Sequence, residues 1–114
     1  MKNSAIKSSF IIALSQKVDA ETVEHYQSHL DNINICLGQS KYYVYSLSAF
    51  HLEFLKLKLE INQTFLSKSK STQQAYFVAL NRLIEFVRSL ESQRTTGIVF
   101  HLNPSEPYVI ARAA

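Results

Sequence analysis

The run Leu55-Lys56-Leu57-Lys58-Leu59-Glu60-Ile61 constrains this chain more than any other stretch, because apolar and charged residues alternate in it without a break. In an extended backbone successive side chains point to opposite faces. The three leucines and Ile61 would then share one face, and Lys56, Lys58 and Glu60 the other. Wound as a helix, the same residues would spread their charges around the axis and leave no continuous polar side. The pattern predicts a strand with one buried and one wet face, and therefore a sheet.

Other segments fit that sheet. Phe10, Ile11, Ile12, Ala13 and Leu14 form a short apolar run, which predicts a buried central strand. Asp19 offers an N-cap and Glu21 sits in the first turn of a helix. Val23, Tyr26, Leu30, Ile33 and Leu37 supply its apolar stripe, and Gly38 stands where a left-handed C-terminal residue is needed. Residues 42–47 have the aromatic and branched composition of a strand. Residues 52–61 make the next strand, with a bulge where Phe54 and Leu55 adjoin. The joint at 48–51 carries no turn residues, so a long buried helix across 42–66 is the rival.

Ser71 and Gln74 form a capping box for a second helix. Its inner face is Tyr76, Leu80, Leu83, Val87 and Leu90, joined by Phe77 and Ile84, with Arg82, Glu85, Arg88 and Glu91 outside. After Gly97, residues 98–102 read as a strand, 103–107 as a turn and 108–111 as a final strand. This order predicts an α+β fold, a ferredoxin-like split βαβ sandwich with two helices on one face of an antiparallel sheet and an extra C-terminal hairpin strand. The alternative is a mostly α-helical bundle. A length of 114 residues with 46% hydrophobic content suits a single domain, 1–114.

Two glycines, Gly38 and Gly97, cannot build a dinucleotide fingerprint or a P-loop, and neither a His-Glu-x-x-His helix nor a glycine-flanked serine elbow occurs. A non-enzymatic protein without cofactor is expected. Cys36 is the only cysteine, which rules out an internal disulfide and a four-cysteine zinc site and suits a reducing cytoplasm. His25 and His29 have the spacing to grip a metal, but Cys36 lies two turns beyond, about 10 Å along the axis, so no metal is expected. The apolar run near the start is too short for a secretory signal. No other run approaches bilayer length, so no membrane partner is expected.

The formal charge of +3 is unevenly placed. Residues 19–40 hold four acids (Asp19, Glu21, Glu24, Asp31) and no Lys or Arg, so the remainder carries 12 − 5, or +7. Such asymmetry suits an anionic partner on the basic side, or two copies arranged head to tail. Lys56 and Lys58 on the wet sheet face, with Tyr43 and Tyr45 on a neighbouring strand, are one candidate contact. The loop bearing Lys68, Ser69, Lys70 and Ser71 is the other, because the free amides and dipole of the following helix favour an anion.

The expected function is a small, dimeric binding or interaction module that contacts nucleic acid or an acidic protein surface through these residues. The alternative is a dimeric small-molecule binder or enzyme with an apolar pocket between sheet and helices, lined by Tyr26, Tyr43, Tyr45, Phe100 and His101. A third, purely helical interaction protein requires 42–66 to be helical.

Overall fold

Capping residues set where the chain turns into helix. Asp19 precedes Ala20–Cys36 and its carboxylate accepts from Thr22 N at 2.8 Å. At the other end Gln39 N donates to Asn34 O and Gly38 takes φ 65°, the left-handed conformation that glycine adopts without a Cβ penalty. The same device recurs where no start signal is expected: Ser48 Oγ accepts from His51 N, and Asn62 Oδ1 accepts from Phe65 N. Residues 49–60 between them are Leu, Lys, Glu, Phe, Ala and His, with no β-branched side chain, and Leu, Lys, Glu and Ala are strong helix formers.

The computed structural model describes residues 3–102, with side chains through Gln93. Its elements are α1 (Asn3–Ser15), α2 (Ala20–Cys36), a 3₁₀ turn (Tyr43–Ser46), α3 (Ala49–Glu60), α4 (Gln63–Leu66) and α5 (Lys70–Leu102). No strand occurs among the described residues, so the expected ferredoxin-like α+β sandwich is incorrect and the chain is a helical bundle.

Each misplaced strand has its own cause. The 10–14 run lies inside α1, where Ile6, Phe10 and Leu14 face inward four residues apart while Ile12 is exposed. Residues 42–47 become the 3₁₀ turn because buried Asn34 holds them there. Its Nδ2 donates to Lys41 O at 2.9 Å and its Oδ1 accepts from Val44 N at 3.2 Å. Residues 52–61 carry a three-and-four-residue spacing inside the alternation, and α3 buries Ala49, Leu52, Leu55 and Leu59 by it. Residues 98–102 continue α5. The expected strand at 108–111 lies outside the described residues.

α2 and α3 both pack along α5, and α1 packs chiefly on the 3₁₀ turn and α2. Leu30 and Ile33 from α2, Leu52, Leu55 and Leu59 from α3, and Ala79, Leu80 and Leu83 from α5 meet at the centre. Phe65 from α4 and Val44 and Tyr45 from the turn close the ends of that core. Asn62 adds a polar tie, donating from Nδ2 to Cys36 O at 2.9 Å and so fixing the end of α2 to the start of α4.

Candidate functional site: the outer face of α3

α3 is held at its first turn and along its length. Ala49 N donates to Glu91 Oε2 at 3.1 Å, so α5 satisfies one of the free amides of the first turn. Glu53 meets Lys56 Nζ at 2.9 Å and Arg88 of α5 at 2.9 Å. Hydrogen bonds from Lys56 and then Arg88 hold its carboxyl below the usual carboxylate range. With the inner leucines buried, the helix has a fixed orientation.

That orientation leaves a second apolar stripe in solvent. Phe50 is 75% exposed, Phe54 50%, Leu57 57% and Ile61 77%. Their steps of four, three and four residues line one side of a helix, the spacing of a helix-pairing seam. Charged and polar groups border it. His51 and Lys58, seven apart, flank one edge; Glu53 and Glu60, also seven apart, flank the other. The His51 ring stands edge-on to Phe50 at 5.5 Å, and Lys58 Nζ lies 5.7 Å from the Phe54 ring centroid. Ile12, Ile35, Leu66 and Val78 are exposed as well, but each is the only such residue on its helix among the described side chains. Scattered singles are ordinary, whereas a register of four is not.

The residues singled out from the sequence are distributed differently from expectation. Lys56 is engaged by Glu53, and a two-residue step sets Lys58 about 200° around the helix axis from it, so no shared basic face exists. Tyr45 is wholly buried, 6.4 Å from the Phe10 ring, and its hydroxyl has no hydrogen-bond partner among the described residues. Tyr43 is half-buried against the core. Neither offers a free ring for a base to stack on. Lys68, Ser69, Lys70 and Ser71 do gather at the start of α5, but the cap is Ser69 and not Ser71. Ser69 Oγ accepts from Thr72 N at 3.2 Å and bonds the hydroxyls of Ser71 and Thr72. Lys68 Nζ lies 5.9 Å from the Tyr76 ring centroid.

The His29 ring packs on Tyr76 at 5.4 Å. Burial, and then the charge of His25, depress its pKa. Among the described residues no three His, Cys, Asp or Glu side chains come together to hold a metal. Burial raises the Cys36 thiol pKa, and the Lys68 charge opposes that rise. Of the residues expected to line a pocket, Tyr45 is buried in the core, Tyr26 and Tyr43 pack half-buried against it, and the side chains of Phe100 and His101 lie outside the described residues. A groove of about 360 Å³ opens instead between α1 and α5.

The α3 stripe escaped sequence reasoning because the alternating pattern assigned Leu57 and Ile61 to the same buried face as Leu55 and Leu59. The signal that would have found it is the 50, 54, 57, 61 register beside the 49, 52, 55, 59 register, two apolar stripes on one helix. Among the described residues no helix is long and apolar enough to cross a membrane. No protein-family model matches this chain, and no curated protein or solved structure matches it either.

Proposed function

We propose that this chain is a helical interaction module that self-associates through the outer face of α3. The observation that carries this reading is the solvent-facing register of Phe50, Phe54 and Leu57 on α3, continued by Ile61 at its C-cap, on a helix whose opposite face already completes the core. Four side chains of this size, half or more uncovered, present roughly 400–500 Å² of apolar surface, at the upper end of what a monomer leaves to water. Two such faces packed together remove about 900 Å² in all, less than the roughly 1,200–2,000 Å² of stable assemblies, so the pairing is reversible and concentration-dependent.

The borders of the stripe favour one orientation. A two-fold dimer uses the same patch twice. If the helices run parallel, the Lys58 edge of one copy meets the Glu53 edge of the other. If they run antiparallel, like edges meet, with Glu53 near a second carboxylate. Parallel pairing is therefore the proposed form.

Sedimentation velocity across micromolar to millimolar protein tests the reading. The wild-type chain is expected to move from monomer toward dimer as concentration rises. Leu57→Asp is expected to stay monomeric, and Ile35→Asp to behave as wild type. A concentration-independent monomer, or association unchanged by Leu57→Asp, would overturn it.

A further inference from the structure

A second surface lies on the other side of the bundle. Phe10 of α1 and Phe86 of α5 touch with ring centroids 5.5 Å apart, and beside that contact the two helices part around the 360 Å³ groove. Phe10, Ala13, Leu14 and Phe86 form its apolar floor, and the small side chain of Ala13 gives it depth. Lys17 reaches it from the turn after α1 and Arg82 from α5, with Glu85 the only acid in its lining. Two cations against one carboxylate leave the rim with a net positive charge.

Arg82 is bonded first by the Tyr26 side chain and then by Glu85, but a guanidinium carries five N–H donors, so the two partners do not saturate it. The Arg82–Glu85 separation is 3.6 Å, longer than the roughly 2.7–2.9 Å of a charge-assisted hydrogen bond, and both side chains are largely in solvent. The volume is at the low end of small-molecule sites, about 300–1,000 Å³. Its lining residues on α5 run from Arg82 to Ser89, about 10.5 Å of helical rise, with Phe10, Ala13 and Leu14 of α1 opposite and Lys17 and Val18 in the turn that follows α1. An extended alkyl chain of about eight or nine carbons, advancing roughly 1.25 Å per methylene with C–C bonds of about 1.5 Å, fits that length.

We propose that the α1–α5 groove binds a free medium-chain monocarboxylate, its alkyl chain along Phe10, Ala13, Leu14 and Phe86 and its carboxylate between Lys17 and Arg82. The apolar floor supplies affinity without selectivity among chains of this length, and the two cations select the anionic head. This site is independent of the α3 face, so either proposal can stand if the other fails.

Titration of the whole chain with decanoate below its micelle concentration, followed by calorimetry and by amide chemical shifts, tests the proposal. Saturable one-to-one binding is expected, with shifts centred on Ala13 and Phe86. Arg82→Glu, a substitution at an exposed rim position, is expected to weaken decanoate at least tenfold while leaving the uncharged analogue decanol within twofold. Ala13→Phe is expected to weaken both. Absence of saturable decanoate binding, equal loss of decanoate and decanol in Arg82→Glu, or binding only to anionic phosphatidylglycerol vesicles would each overturn it.

Discussion

Leu55 and Leu57 stand two residues apart in the alternating run, and a sheet would bury them on the same face. α3 separates them, leaving Leu55 1% exposed in the core and Leu57 57% exposed outside. Leu55→Ala should therefore cost about 3–4 kcal/mol, the transfer term plus a cavity bounded by Leu52, Leu59 and α5, within the range of roughly 2–5 kcal/mol for buried leucines. For a chain of this length that lowers Tm by about 10–20 °C. Leu57→Ala should change stability by no more than about 0.5 kcal/mol when measured at a protein concentration low enough to keep the chain monomeric. Urea unfolding followed by far-ultraviolet circular dichroism gives both values, and similar slopes for the two variants keep the comparison valid. If Leu57→Ala costs within 1 kcal/mol of Leu55→Ala, the two-faced description of α3 is wrong.

Other substitutions probe the polar interior and its titration. Asn34→Ala removes both hydrogen bonds that anchor the 3₁₀ turn and leaves Val44 N without its partner, so a loss of about 2–3 kcal/mol in urea unfolding is expected. Tyr45→Phe removes a buried hydroxyl that has no partner among the described residues; calorimetry should show an unchanged or higher Tm, and a drop of several degrees would contradict the placement. His29 has a folded pKa below its unfolded value of about 6.5. Its contribution to stability is therefore complete above that pH and is lost as the pH falls below it toward the folded pKa. Between about pH 7 and pH 5, above the range where Asp19 and Glu53 take up protons, Tm should decline, and His29→Gln should flatten the decline.

Legibility in the sequence followed how many independent signals agreed on each element. α2 was legible because its cap, its stripe and its terminal glycine all point to the same helix, and Asp19, Leu30, Ile33 and Gly38 occupy the expected roles. The inner face of α5 was legible for the same reason, with Tyr76, Leu80, Leu83, Ile84 and Val87 buried. Its start lies two residues before the capping box predicts, because Ser69 and Ser71 both suit a cap in a polar stretch, and only the bond from Thr72 N decides between them.

The 42–61 region was misread because a period of two outweighed residue type. Leucine, lysine and glutamate favour helix over strand, and Ser48 and Asn62 bracket the segment with caps. Apolar alternation arises on a helix whenever two stripes face opposite ways, one toward its own core and one outward. The candidate lysines were misplaced by the same inversion. Lys56 and Lys58 share a face only in an extended backbone. What the sequence could not disclose was the partnership of Glu53 with Arg88, or of Asn34 with the turn, because both depend on tertiary packing between separated segments.

The most direct test of the α3 face is a dilution series of amide and methyl spectra on the uniformly labelled chain. Concentration-dependent shifts are expected at Phe50, Phe54, Leu57 and Ile61, with smaller ones at His51 and Lys58, and none at Ile12 or Ile35, which are equally apolar and exposed but stand alone. Spectra that do not change with concentration, or changes centred on α1 or α2, would contradict a self-association face on α3.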